Sequence, residues 1–207
     1  DQKINTFYNN INLDDFKIIP QNEAKSSLDI NTKKKIILYG ANNPQNKRKG
    51  WDIFKETLKK LDKSKYFLII FGNFWSGSIL EDIGIEYKNF GFVDDVKKLN
   101  AIYGCADLFV APSIQEAFGK TWAESLASET PIVCFSNTSI SEIINHKVNG
   151  FVINTLEPNE LKIGIDWVSD NLCKEKFKKG DLRKTVEKFD AEKISEKYIQ
   201  LYKKILR

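Results

Sequence analysis

The chain has one histidine (His146), no Cys-x-x-Cys pair and no Asp-x-Asp triplet. The first two absences leave a structural zinc site little to build on. The third removes the paired carboxylates with which many sugar transferases hold a divalent cation, so no metal site is expected. Cysteine is scarce too: Cys105, Cys134 and Cys173 are an odd number of well-separated thiols, two of them in apolar surroundings. That usage argues against a disulfide framework and fits buried thiols in a reducing cytosol. No run approaches the roughly 18 consecutive apolar residues of a spanning helix, and the N-terminal DQKINTFYNN lacks the apolar stretch of a signal peptide. Together these absences point to a cytoplasmic protein. The sequence does not begin with Met, which leaves room for a preceding portion. No internal repeat or low-complexity segment is visible.

What is present suits one α/β domain. The 207 residues are 42% hydrophobic and 29% charged, ordinary globular usage and too short for two domains of common size. The net charge of +4 allows peripheral attraction to an anionic membrane, at the inner face of the cytoplasmic membrane, or to phosphates. A solvated lysine-rich exterior explains it equally well. No nucleic-acid partner is expected.

From Lys35 onward, apolar runs alternate with amphipathic stretches, which predicts a parallel sheet with helices on both faces. Strands are expected at Ile36–Tyr39, Tyr66–Phe71, Glu86–Phe90, Leu108–Ala111, Ile132–Phe135 and Phe151–Ile153, all buried on both faces. Helices are expected at Trp51–Leu61, Val96–Tyr103, Phe118–Ala127, Ser141–Asn145 and Pro158–Ser169. Trp51, Phe54, Leu58 and Leu61 recur at helical spacing, so that face packs on the sheet. Beyond Asn171 the chain reads as helical, with Asp190 an N-cap between two helices. Residues 1–30 are turn-rich and fall outside the alternation. They read as a linker or arm from a preceding domain, with the Rossmann-like domain proper at 31–207.

In an open parallel sheet, ligands bind beyond the carboxyl ends of the strands. Two segments stand there. The loop Tyr39 to Gly50 carries Lys47, Arg48 and Lys49 in succession; it is either a diphosphate clamp or a solvated basic loop. The second segment runs from Ala111 to Glu124, through a turn into a helix. Its N-terminal residues Phe118, Gly119, Lys120 and Thr121 offer unpaired amides and a partial positive charge to a phosphate. Glu116 and Glu124 are eight positions apart, which within one helix means roughly 12 Å of rise and about 80° of rotation. Carboxylates so placed could accept hydroxyl hydrogen bonds from opposite ends of a nucleotide sugar. Alternatively, Glu116 is a favourable first-turn acid and Glu124 a solvated one.

Pro112-Ser113-x-x-Glu116-x-Phe118-Gly119, followed by Glu124 and Pro131-Ile132-Val133, resembles the Glu-x7-Glu signature of family 4 glycosyltransferases, which are retaining enzymes with two Rossmann-like halves. Lys49-Gly50-Trp51-Asp52, Phe90-Gly91-Phe92-Val93, Ala106 to Val110 and Asn149 to Val152 are similar to further family segments, in order. Tyr8 to Phe16 resembles the stretch that joins the two halves. The resemblance implies that this is the donor half, with a nucleoside diphosphate sugar as donor and no separate cofactor. Lys49, with Arg48, would meet the diphosphate, Glu116 the transferred hexose and Glu124 the ribose. The backbone at Phe92 and Val93 would meet the base, and amides from Phe118 to Thr121 phosphate or sugar. Glu116 and Lys49 would carry the catalytic share, in hexosyl transfer to a glycan or lipid-linked acceptor bound by an N-terminal domain outside this chain.

Three departures stand out. Gly40-Ala41 occupies the place where many relatives have arginine. Glu129 replaces a usual glycine, and Ser136 to Ser139 stand where Gly-Gly is frequent. A nucleotide-sugar 2-epimerase half and a binding module without catalysis are the alternatives.

Overall fold

The computed structural model describes residues 6–43, 46–73, 80–172 and 180–206; Cys173 lies outside them, as do Pro44 and Gln45 of the basic loop. Six parallel strands form one sheet in the order β3-β2-β1-β4-β5-β6. They are β1 Lys35–Gly40, β2 Tyr66–Phe71, β3 Tyr87–Asn89, β4 Leu108–Ala111, β5 Ile132–Phe135 and β6 Gly150–Ile153. The described helices are α1 Gln21–Ser27, α2 Trp51–Leu58, α3 Val96–Cys105, α4 Lys120–Ala127, α5 Pro158–Asn171, α6 Asp181–Lys184 and α7 Ala191–Ile205.

Alternation along β1 divides the core into two layers. Ile37 and Tyr39 point towards α2 and α5, with Trp51, Phe54, Leu58, Leu161 and Ile165. Ile36 and Leu38 point towards α1, α3, α4 and α6, with Ala24, Ile102, Trp122, Leu126 and Leu182. The central strands are therefore buried on both sides, which is why they read as unbroken apolar runs. The β3 edge corrects that expectation: Tyr87 and Asn89 are exposed, because no strand lies beyond them. Asp107, at the opposite end from the ligand-binding edge, accepts from the Ile36 amide at 2.7 Å and fixes β1 against β4.

Three predicted helices change. α2 stops at Leu58, although Leu61 remains buried. The stretch expected as a helix at Ser141–Asn145 is a 3-10 turn over Ser139–Glu142. The signature helix begins at Lys120, two residues late, because Gly119 is extended (φ −83°, ψ 111°) and serves as its N-cap. At the other end of α4, Thr130 N–H bonds Ser125 O at 2.9 Å and Glu129 N–H bonds Leu126 O at 3.1 Å. This is a Schellman closure with Glu129 in the left-handed position, φ 60°, which a glycine would occupy without strain. The Glu129 carboxylate has a compensating task, accepting from the Arg183 amide at 2.9 Å.

Residues 6–30, inside the segment expected as an arm, lie against the same body. Ile11, Leu13, Phe16, Leu28 and Ile30 are buried in the α3–α4 layer, and α1 is a helix for which the turn-rich reading made no provision. The Ile11 amide donates to Phe189 O, and the Ala191 amide to Ile11 O. Asp190 caps α7 as expected, accepting from Ala191 N–H at 3.0 Å. Arg183 ties these pieces together: its guanidinium donates to the carbonyls of Phe16, of Ala127 at 3.2 Å and of Leu13 at 2.8 Å. Charge-assisted bonds to partly buried carbonyls are costly to lose. Arg183→Ala should therefore destabilise the domain by about 2–4 kcal/mol, seen as a lowered urea midpoint with an unchanged slope.

Candidate donor-binding site

The strand order reverses direction between β1 and β4: β1 leads outward to β2 and β4 leads the other way to β5. The loops that leave these two strands diverge and open a crevice at their carboxyl ends. The loop after β1 turns into α2 through Gly50, at φ 68°, where a Cβ would stand 1.8 Å from Pro112 O. Only glycine permits that approach. It brings the Arg48 carbonyl to the Ile114 amide, 2.7 Å away, so the basic loop and the signature loop are joined through the backbone.

The consequence is an ion pair between Lys49 Nζ and Glu116 Oε2, both partly buried. A narrow notch lies beside it, lined by Tyr39, Gly40, Ala41, Ser113, Thr121 and Ile140 among others. Arg48 flanks a neighbouring open groove with Lys49, Gln115, Glu116 and Asn137. Glu116 thus stands in the loop ahead of α4, which corrects the expected placement of both glutamates along one helix and voids the rise-and-rotation argument. Gly119 keeps the carboxylate in place, since a Cβ there would stand 3.2 Å from its Cδ. The β5–β6 loop supports the same segment from the far side. Ser139 N–H and Oγ–H both donate to Glu116 O, at 3.3 and 3.2 Å, and Asn137 Nδ2 donates to Ile114 O at 2.7 Å. Where glycines are frequent, this chain has side chains that brace the signature loop.

The remaining expected residues are more spread out. α4 opens on Gly119 with no side-chain cap, while the Trp122 amide donates to Gly119 O at 3.3 Å. Thr121 lines the notch, whereas Lys120 is exposed. The Phe118 side chain turns away, into a cluster with Trp122 and Phe189. Phe92 and Val93 follow β3, two strands out from β1; Phe92 is 59% exposed and Val93 rests on the core. Glu124 lines neither the notch nor the groove. Its Oε2 accepts from the hydroxyl of Tyr103 at 2.9 Å, a residue that sequence reasoning passed over because a tyrosine in an apolar helix looks like core. His146 is remote from the crevice, its Nδ1 accepting from the Val152 amide at 3.1 Å on the β6 side. Among the described residues no three His, Cys, Asp or Glu side chains gather as a metal cluster, and no helix is long and apolar enough to cross a membrane. Cys134 is buried, which pushes its thiol up to about 12; such a group is inert.

A family model described as glycosyl transferases group 1 matches residues 20–202. The chain belongs to that family. It is 30% identical over 217 aligned residues to an uncharacterized glycosyltransferase of Methanocaldococcus jannaschii, covering 98% of this chain and 54% of the relative. Its fold superposes on Anabaena HepE, solved in complex with UDP-glucose, with a TM-score of 0.77 at 18% identity, over 96% of this chain and 57% of that one. It also matches the C-terminal domain of a group 1 glycosyl transferase, LpcC, from Francisella tularensis, with a TM-score of 0.63 at 18% identity, over 91% and 98% of the two chains. The chain spans about half the length of the curated relatives it matches. The structure is that of the C-terminal, Rossmann-like half of such enzymes.

Burial holds the Glu124 carboxyl above its ordinary range, with the Tyr103 hydrogen bond and Lys120 opposing in part. Between the unfolded value, about 4.3, and the raised folded value, the folded state binds more protons than the unfolded one. Stability from this group therefore falls as pH rises through that interval. Glu124→Gln keeps an acceptor for Tyr103 without the buried charge. It should raise Tm near pH 7 by about 2–4 °C, what ~1 kcal/mol gives in a domain of this size, and the gain should vanish towards pH 4 in thermal unfolding.

Proposed function

We propose that this chain is the donor-binding half of a retaining, metal-independent hexosyltransferase, which moves a sugar from a nucleoside diphosphate to a glycan or lipid-linked acceptor. Residues 31–207, with the segment 6–30 packed into the same core, form the donor domain on this reading, and a preceding half joined through residues 1–30 holds the acceptor. The observation that carries it is the meeting of Lys49 and Glu116 at the reversal point of the sheet, beside the uncapped start of α4.

A cation, a carboxylate and free helix amides at one crevice suit a ligand with a diphosphate next to a polyol. Lys49, helped by Arg48 and the amides from Phe118 to Thr121, stabilises the negative charge that develops on the departing diphosphate. Glu116 accepts from hexose hydroxyls, Glu124 from the ribose, and the base rests by Phe92 and Val93. Anabaena HepE, of the same fold, was solved with UDP-glucose, which agrees with a nucleotide-sugar donor. We place the reaction in the cytoplasm at the inner membrane face, in polysaccharide or lipid-linked glycan synthesis. A 2-epimerase half fits less well, because the sole histidine faces β6 and not the crevice.

Lys49 is paired with Glu116, so on this reading a diphosphate competes with that carboxylate for the lysine. Lys49→Ala should weaken nucleoside diphosphate binding by about 1.5–3 kcal/mol, whereas Glu116→Ala, which releases the lysine, should leave it intact or strengthen it. Isothermal titration of both variants checks this, with Lys59→Ala as a neutral control. In the full-length enzyme, Glu116→Ala should lower turnover by about 10- to 1000-fold.

The isolated chain should bind nucleoside diphosphate and transfer no sugar, while the full-length enzyme keeps its activity in EDTA. Efficient transfer by these residues alone, or a strict Mn²⁺ or Mg²⁺ requirement, would contradict the proposal.

A further inference from the structure

Tyr103 is completely buried in α3, with its ring edge-on to Phe16, Phe71 and Phe109 at centroid distances of 6.0, 5.6 and 5.9 Å. In such a cage phenylalanine would pack equally well, and a hydroxyl is an expense unless it finds a partner. Its partner is the Glu124 carboxylate at 2.9 Å. Burial raises the pKa of both groups, so the fold keeps an ionisable pair where an apolar pair would be more stable.

The backbone around Tyr103 is fixed as firmly as the ring. Its carbonyl accepts from Thr130 Oγ1 at 2.8 Å and from the Ala106 amide at 3.2 Å. One residue of the β2 end joins the pair to the crevice: Phe71 packs on Tyr103 and fills the space in front of Gly40. The next residue, Gly72, donates to Gly91 O, at 2.7 Å, beside Phe92. Through Phe71 the Tyr103 ring is thus connected to the end of β2 and the space before Gly40.

We infer that Tyr103 is a positioning residue for the nucleoside: its hydroxyl locks one oxygen of Glu124 and leaves the other to accept from the vicinal hydroxyls of a ribose. The inference rests on the reading that Glu124 meets the ribose, and it adds a specificity. A carboxylate with one oxygen held has a single orientation, so losing one ribose hydroxyl leaves its other oxygen unpaired in a partly buried wall. The site then discriminates ribonucleotides from 2′-deoxyribonucleotides, and Tyr103 sets the degree.

The test uses the chain itself and four probes: uridine and guanosine diphosphates and their 2′-deoxy counterparts, titrated calorimetrically. For whichever base binds, the wild type should prefer the ribonucleotide by about tenfold, the size of one well-placed hydrogen bond. Tyr103→Phe should reduce the preference to below about threefold, mainly through weaker ribonucleotide binding, with deoxyribonucleotide affinity unchanged. In a Glu124→Ala background it should have no further effect. If Glu124→Ala removes the preference and Tyr103→Phe leaves it intact, the positioning role is overturned and the ribose reading stands. If Glu124→Ala leaves the preference intact, or the wild type has none, the ribose reading fails and takes the inference with it. Should Tyr103→Phe not fold, 3-fluorotyrosine at position 103 keeps the shape and strengthens the donor; a ribose preference equal to that of the wild type then overturns the role.

Discussion

A single backbone contact organises the ligand-facing edge: the Arg48 carbonyl against the Ile114 amide at 2.7 Å. Loops after β1 and β4 run in opposite directions, and nothing in the sheet obliges them to meet. They meet because Gly50 lets the chain pass against Pro112 where any Cβ would collide with a carbonyl. Beside that junction lie the approach of Lys49 to Glu116, the extended Gly119 that gives the carboxylate room, and the helix that starts at Lys120 without a side-chain cap. The Ser139 and Asn137 bonds press on the same segment from the β5 side. The signature loop is thus held by backbone and side-chain bonds from both neighbours, and its geometry is set before any ligand arrives.

Charge placement in this edge runs against stability. Glu124 is a partly buried carboxylate whose protonation is pushed upward by burial, and Lys49 and Glu116 form a partly buried ion pair. Neither arrangement is what a stability-seeking core would choose. Elsewhere the molecule follows ordinary packing rules, with two apolar layers divided by a sheet whose central strands show almost no solvent exposure. Departures from those rules concentrate where chemistry is expected, as at functional sites generally.

Much of the fold was legible because β strands buried on both faces leave unbroken apolar runs, as at β1, β2, β4 and β5, whereas the edge strand β3, Tyr87–Asn89, is short and exposed. Helix ends were less legible. The start of α4 depends on the extended backbone of Gly119, and the short turn at Ser139–Glu142 has too few residues to show a period. α1 escaped because its apolar contribution is small: one buried residue, Ala24, against a surrounding turn-rich segment. The meeting of Lys49 and Glu116 at one crevice was foreshadowed by their loop positions and residue types. The Tyr103–Glu124 bond was not, since it depends on α3 and α4 lying side by side, a tertiary fact that no local pattern carries. Glu129 shows the converse. Its departure from glycine was visible in the sequence, while the reason for tolerating it, the Arg183 amide 2.9 Å from its carboxylate, belongs to a helix far along the chain.

The end of β1 has an implication for how this sequence can change. A Cβ at Gly40 would stand 2.2 Å from the ring of Phe71, itself buried against Tyr103. An arginine cannot enter position 40 as a single replacement: Phe71 must shrink first, and that loosens the cage around Tyr103. Position 40 is therefore conditioned on position 71, and not the reverse. A side chain on the strand end can be gained only in that order, so the residues at 40, 71 and 103 should change as a set.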